Sequence, residues 1–130
     1  MRVTIGILVI GVSVLVSGAR LAGHHAFSSE YDENKVVTLK GTVTKIEWMN
    51  PHAKFFIDAM NQDNSVTNWE FELASPNSLT REGWDRHTLT VGDAITVSGF
   101  AAKSGRNMAS TRSVTTADGR ALFGGTQGIQ

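Results

Sequence analysis

The sequence predicts an all-β protein, a small five-stranded barrel with one short helix between its third and fourth strands. Four segments between residues 36 and 101 alternate apolar and polar side chains with a period of two, as strands with one buried face do. Clusters of turn-forming residues separate several of these segments, and a helix-capping pattern occurs at Ser75-Pro76-Asn77. An open antiparallel sandwich built from the same strands is the alternative architecture.

The first predicted strand changes the parity of its apolar positions along its length. Val37 and Val43 share one parity, whereas Ile46 and Trp48 share the other. Because side chains alternate strictly along a regular strand, this change requires a bulge or a sharp bend. Gly41 permits strong coiling at that place. A coiled first strand that serves both halves of a barrel favours the barrel over the sandwich.

A proline corner separates the first strand from the second. Pro51 has no amide hydrogen to donate and restricts Asn50, so the first run ends there. The second strand alternates again, with the apolar residues of one parity from Ala53 to Ala59. His52 is therefore expected at the entrance of this strand, on the parity opposite to the core.

The remaining elements follow in chain order. Ser75 is expected to cap the helix and Gly83 to end it, with Trp84 packing on one end of the barrel. Five strands with a helix in this position match the oligonucleotide/oligosaccharide-binding (OB) barrel. The elements predicted after the second strand are a hairpin turn at 61–65, a third strand at 66–73, a helix at 77–82, a fourth strand at 94–101 and a fifth at 108–116.

The N-terminus predicts export. Arg2 precedes an apolar run that ends at Val16, too short to span a bilayer comfortably, and small residues follow it. This pattern is typical of a secretory signal peptide, and a membrane anchor or a buried helix is the alternative. We expect a periplasmic or secreted protein with a signal peptide at 1–23, cleaved between residues 19 and 23, a barrel domain with an extended N-terminal arm at 24–123, and a disordered tail at 124–130.

Composition excludes several function classes. Removal of the signal peptide takes away Arg2 and Arg20, which leaves 10 basic and 12 acidic residues and a net charge of −2. A mildly acidic exported domain is a poor candidate for binding nucleic acid. The absence of cysteine excludes a disulfide framework and a thiolate metal site. No nucleophile motif or phosphate-binding glycine loop is present, so we expect no enzyme, and no membrane-spanning segment after cleavage.

Several motifs stand out along the mature chain: His24-His25-Ala26-Phe27, Trp48-x-Asn50-Pro51-His52 and Trp69-x-Phe71-Glu72-Leu73-x-Ser75-Pro76-Asn77. Together they resemble a family of exported bacterial proteins of unknown function. The resemblance covers roughly residues 24–123. It implies a periplasmic or secreted location and no established activity, so it supplies no functional residue.

Three of the four histidines suggest a metal site, namely His24, His25 and His52. Imidazole is a good ligand for copper, zinc and nickel, and an exported protein meets these metals outside the thiol buffers of the cell. If cleavage leaves Gly23 first, the amine, two backbone amides and the His25 imidazole suit square-planar Cu(II) or Ni(II). If it leaves His24 first, its amine and imidazole chelate one ion, and His25 or His52 adds a nitrogen. The alternative is a flexible polar arm and a His52 that bonds to the backbone.

The second hypothesis is a module that binds an envelope protein or a small non-metal ligand. OB barrels commonly bind ligands on the face of strands two and three. The candidate ligand-face residues are Trp48, Lys54, Phe56, Asn68, Glu70 and Glu72. The alternative is that these residues bind no ligand. In that case Glu70 and Glu72 form a solvated strand face, Trp48 is a core residue and His87 is a surface residue.

Overall fold

The computed structural model describes residues 27–125 of the 130-residue chain. The predicted signal peptide, His24 and His25 lie outside this range, as do residues 126–130. Within it, no helix is long and apolar enough to cross a membrane. A helical turn at residues 27–30 leads into β1 (Tyr31–Glu47), followed by β2 (Lys54–Met60), β3 (Val66–Glu72), α1 (Pro76–Arg81), β4 (Ala94–Ala102), β5 (Met108–Thr116) and β6 (Ala121–Phe123).

Five strands close into a ring. Their order is β3-β2-β1-β4-β5, and β5 returns to β3 by a short parallel pairing that joins Glu72 to Ser110. The other pairings are antiparallel. With α1 between β3 and β4, this is the OB arrangement, and the predicted barrel is confirmed. β6 was not predicted. It pairs with β5 at Ser113–Thr115, further along β5 than the residues from Met108 to Ser110 that pair with β3.

β1 serves both halves of the barrel, as its changing parity predicted. Its N-terminal part pairs with β4 and its C-terminal part pairs with β2. The register with β2 shifts between Val43 and Lys45, so Thr44 is the extra residue of a bulge. As a result Val43 and Ile46, which differ in parity, pack in the same core cluster.

The predicted core face of β2 is buried. Phe55 stacks on Phe71 of β3, with ring centroids 5.4 Å apart and planes 12° apart. Trp84 is buried in the core cluster, and its indole Nε1 donates a 2.9 Å hydrogen bond to the carbonyl of Phe123. The predicted core residues of this run, Ala53, Phe55, Ile57 and Ala59, all belong to the core, where Ile95 and Val97 of β4 join them.

The ends of the helix also follow the prediction. Ser75 is the N-cap and accepts a hydrogen bond from the backbone N–H of Ser78, and Pro76 occupies the first turn. Gly83 follows the helix with a φ of 89°, a conformation that favours glycine. The predicted tail begins at Gly124, whose carbonyl accepts a 2.9 Å hydrogen bond from the N–H of Ala74.

The described part of the predicted N-terminal arm begins with a helical turn and not with extended chain. Residues 27–30 form a helical turn, and Tyr31 already belongs to β1, where it pairs with Ala102. Tyr31 is buried, so an apolar anchor interrupts an otherwise polar segment. Phe27 pins the turn, with its ring 5.4 Å from Tyr31 and 5.8 Å from Phe100. We call this group the arm cluster: Phe27, Tyr31, Phe100, Ala102 and Met108.

Replacing Gly41 by alanine is expected to destabilise the protein by about 1–3 kcal/mol. A Cβ at this position would lie 2.6 Å from the backbone oxygen of Asp58, so β1 and β2 would have to separate. Chemical denaturation followed by tryptophan fluorescence measures the free energy of unfolding. Lys40→Ala, at the exposed neighbouring position, is the control and should change it by less than about 0.5 kcal/mol. A Gly41→Ala variant as stable as the wild type would contradict this close approach.

Candidate functional site

A buried carboxyl group joins three distant parts of the chain at the end of β3. The side chain of Glu72 is 12% exposed, although the sequence favoured a solvated strand face. The Tyr31 hydroxyl donates a 2.9 Å hydrogen bond to its Oε2, and Nδ1 of His52 lies 2.7 Å from its Oε1. We call these three residues the Glu72 cluster. It links the start of β1, the proline corner and the end of β3.

The β2–β3 hairpin brings His52 to Glu72. Lys54 pairs with Glu72 across the hairpin, and the backbone of Ala53 continues the ladder by bonding to Leu73 and Ala74. His52 shares the parity of Lys54, so its side chain projects from the same face as Glu72. The register of one hairpin therefore sets the distance between the imidazole and the carboxyl group.

Glu70, the next acidic residue on this face, is neutralised by its own partner. Lys54 Nζ lies 2.6 Å from Glu70 Oε1 in a partly buried ion pair. The hydrogen bond to Glu70 is the main reason why the pKa of Lys54 is raised above its usual value. Because Lys54 is engaged by Glu70, the carboxyl group of Glu72 is left to Tyr31 and His52.

The other predicted ligand-face residues lie apart from the Glu72 cluster. The ammonium group of Lys45 lies over the Phe56 ring, 5.2 Å from its centroid. The Asn68 amide donates a 2.8 Å hydrogen bond to Asp58. Trp48 is partly buried against the core rather than displayed on the face. The structure thus brings Lys54, Glu70 and Glu72 to the side of His52, and gives Phe56 and Asn68 partners of their own.

Tyr31 is a fixed donor in this cluster. Burial raises the pKa of its hydroxyl group far above the ordinary value, and the negative charge of Glu72 raises it further. The hydroxyl therefore stays protonated under ordinary conditions and always presents its hydrogen to Glu72. Its role is to satisfy one oxygen of a carboxyl group that water barely reaches.

The contact with Glu72 defines which nitrogen of His52 is available for chemistry. At 2.7 Å, a proton must lie between Nδ1 and the carboxyl oxygen, since two bare acceptors would repel each other. In the neutral ring the lone pair is then on Nε2. The His52 side chain is 42% exposed, so solutes reach the ring. In many metal sites, the histidine nitrogen that does not bind the metal donates its hydrogen to a carboxylate, and this bond orients the ring.

Residues 27–125 do not complete a metal site by themselves. No group of three His, Cys, Asp or Glu side chains in that range is arranged to hold a metal ion. His87 lies in an exposed turn, where its backbone N–H bonds to Asp85. His24 and His25, the other predicted ligands, lie outside the described residues. Any metal at His52 therefore needs further ligands from beyond residues 27–125.

Sequence reasoning did not predict that Glu72 contacts His52, although a signal existed. The turn predicted at residues 61–65 centres the hairpin on Asp63. Counting outwards from that centre places Lys54 opposite Glu72, as observed, and His52 beside it. For Tyr31 no such local signal exists, since it is 41 positions from Glu72.

Comparison with models of known protein families gives a match. The model of a family described as "Family of unknown function (DUF6152)" matches residues 12–111. This range contains Tyr31, His52 and Glu72, so the Glu72 cluster lies within it. No curated protein and no solved structure matches the chain.

Replacing Tyr31 by phenylalanine is expected to lower the free energy of unfolding by about 1–3 kcal/mol, because the buried oxygen of Glu72 loses its donor. Urea denaturation measures the loss. Lys54→Gln, which breaks the more exposed pair with Glu70, is the comparison and should cost about 0–1 kcal/mol. If both variants lower the free energy of unfolding by the same small amount, the Tyr31–Glu72 hydrogen bond stabilises the protein no more than an exposed interaction does.

The raised pKa of Tyr31 also predicts how stability depends on pH. Above about pH 10 the unfolded chain releases this proton while the folded protein retains it, so stability falls as pH rises. One such group contributes a slope of up to about 1.4 kcal/mol per pH unit. Urea denaturation between about pH 9 and about pH 11 should show a steeper decline for the wild type than for Tyr31→Phe. Parallel curves would contradict the raised pKa.

Proposed function

The chain belongs to the DUF6152 family of unknown function, and we propose that it is an exported metal-binding barrel that takes Cu(II) at His52 and the N-terminal histidines. The observation that carries the proposal is the 2.7 Å contact between Nδ1 of His52 and the buried carboxyl group of Glu72. The signal peptide predicted from the sequence supports a periplasmic or secreted location.

His52 has the properties of a prepared ligand. A free surface histidine samples several orientations, and fixing it on a metal has an entropic cost. Here Glu72 holds Nδ1, and Tyr31 holds the other oxygen of Glu72. A carboxylate in this position fixes the orientation of the ring that a metal requires.

The start of the described chain is anchored close to the same cluster, which supports a role for the arm histidines. Phe27 packs on Tyr31, and Lys103 donates a 2.5 Å hydrogen bond from Nζ to the carbonyl of Ser28. His25 is two residues before Phe27 in the sequence, so its Cα is at most about 7 Å from that of Phe27. A nitrogen donor from the arm is thus within reach of this side of the barrel.

Copper fits the available donors better than the other common metals. The proposed set consists of imidazoles and a terminal amine, with no thiolate, since the chain has no cysteine. Nitrogen donors of this kind bind Cu(II) more tightly than other divalent first-row ions. A carboxylate-rich set would instead favour magnesium or calcium, but Glu70 is engaged by Lys54. The proposed activity is binding, and no catalytic step is proposed.

The alternative, a ligand or envelope protein on the face of β2 and β3, has less support. Polar groups on that face already neutralise one another, as Lys54 and Glu70 do. Asn68 likewise bonds to Asp58. A ligand would have to replace these bonds before it gained any of its own.

Titration of the correctly processed protein with Cu(II), against a competing chelator, tests the proposal. We expect His52→Ala and the His24→Ala/His25→Ala variant each to weaken binding by at least about tenfold, and Glu72→Gln by about 10–100-fold. His87→Ala removes the histidine of the exposed turn at residues 85–88 and should leave the affinity unchanged. Equal affinity of wild type and His52→Ala would contradict the proposed site. Equal effects of His52→Ala and His87→Ala would show non-specific binding.

A further inference from the structure

We propose a second binding site, on the outer face of β4 and β5, for a small hydroxylated carboxylate such as a sugar acid. A cavity of about 660 Å³ opens there. It involves no histidine and does not depend on the proposed copper site. The lining residues that carry the argument are Glu82, Ser98, Arg112, Ser113 and Phe123.

Arg112 supplies a positive charge that is not neutralised. The β4–β5 register shifts where Ser113 faces Ser98 and Thr111 faces Gly99, so Arg112 is the extra residue of a bulge. Bulges redirect side chains in this way beside binding sites. Its guanidinium group lies over the Phe100 ring, 5.1 Å from the centroid, and within residues 27–125 it forms no salt bridge. A guanidinium group that lies over an aromatic ring can still direct N–H groups to a carboxylate.

The rest of the lining indicates the class of ligand. The hydroxyl groups of Ser98 and Ser113 lie 3.0 Å apart, and each can donate and accept. Phe123, 68% exposed, gives the rim a flat apolar surface. Glu82 also borders the cavity and disfavours a second negative charge on the ligand. One carboxylate, several hydroxyl groups and one apolar face together describe a sugar acid better than a phosphate.

Titration of the ¹⁵N-labelled, metal-free protein with glucuronate, followed by ¹H–¹⁵N correlation spectra, tests this proposal. We expect saturable shifts of the amides of residues 98–100 and 110–113. Glucose lacks the carboxylate and acetate lacks the hydroxyl groups, so both should bind at least about tenfold more weakly. Inorganic phosphate should also bind more weakly, and Glu82→Gln should reduce that difference.

Two variants and a control separate the site from non-specific attraction. Arg112→Gln should weaken glucuronate binding by about tenfold or more, whereas Arg106→Gln, at an exposed arginine in the β4–β5 turn, should not change it. Ser113→Ala removes one of the hydroxyl groups that line the cavity, so it should also lower the affinity for glucuronate. It also tests the site if Arg112→Gln does not fold.

Three results would overturn the proposal. They are the absence of saturable shifts at residues 98–100 and 110–113, equal effects of Arg112→Gln and Arg106→Gln, and tighter binding of phosphate than of glucuronate. Because the protein is metal-free in this experiment, none of these results bears on copper binding at His52.

Discussion

One strand, β1, pairs with β2 in one half of the barrel and with β4 in the other half. It must therefore bend within its own length. Glycine at position 41 allows β2 to approach, and the bulge at Thr44 turns the following residues back into the core. The same bend decides where β1 begins relative to the closing strands. Tyr31 pairs with the end of β4, β4 pairs with the start of β5, and β5 meets β3 at Glu72. Closure of the ring therefore brings Tyr31 to Glu72, whereas the β2–β3 hairpin brings His52 there.

A carboxyl group held away from water needs partners, and Glu72 draws them from two distant segments. Tyr31 contributes a hydroxyl that stays protonated, and His52 contributes the ring nitrogen Nδ1. Such an arrangement adds little net stability compared with apolar packing, but removal of one partner is costly. Its physical consequence is orientation, since it fixes both the start of β1 and the imidazole at the proline corner. This property makes His52 a better candidate for chemistry than the exposed His87.

Local patterns in the sequence predicted most of the fold and part of the site. The alternation in β2, the cap at Ser75 and the parity change in β1 each depend on residues close in the chain, so composition and spacing reveal them. The contact between His52 and Glu72 also follows from the register of one hairpin. Tyr31 could not be placed, because its partner is reached only through closure of the barrel and its neighbours are polar. β6 is three residues long, too short for an alternating pattern to be visible.

The central claim is that Glu72 holds Nδ1 of His52 and leaves Nε2 for a ligand. Long-range ¹H–¹⁵N correlation spectra of the imidazole, recorded on metal-free protein at about pH 8, where an ordinary imidazole is neutral, test it directly. The account predicts that His52 carries its proton on Nδ1, and that Glu72→Gln changes this preference while leaving the ring of His87 unaffected. A His52 ring protonated on Nε2 with a bare Nδ1, in the wild type, would contradict the contact from which the proposed function is derived.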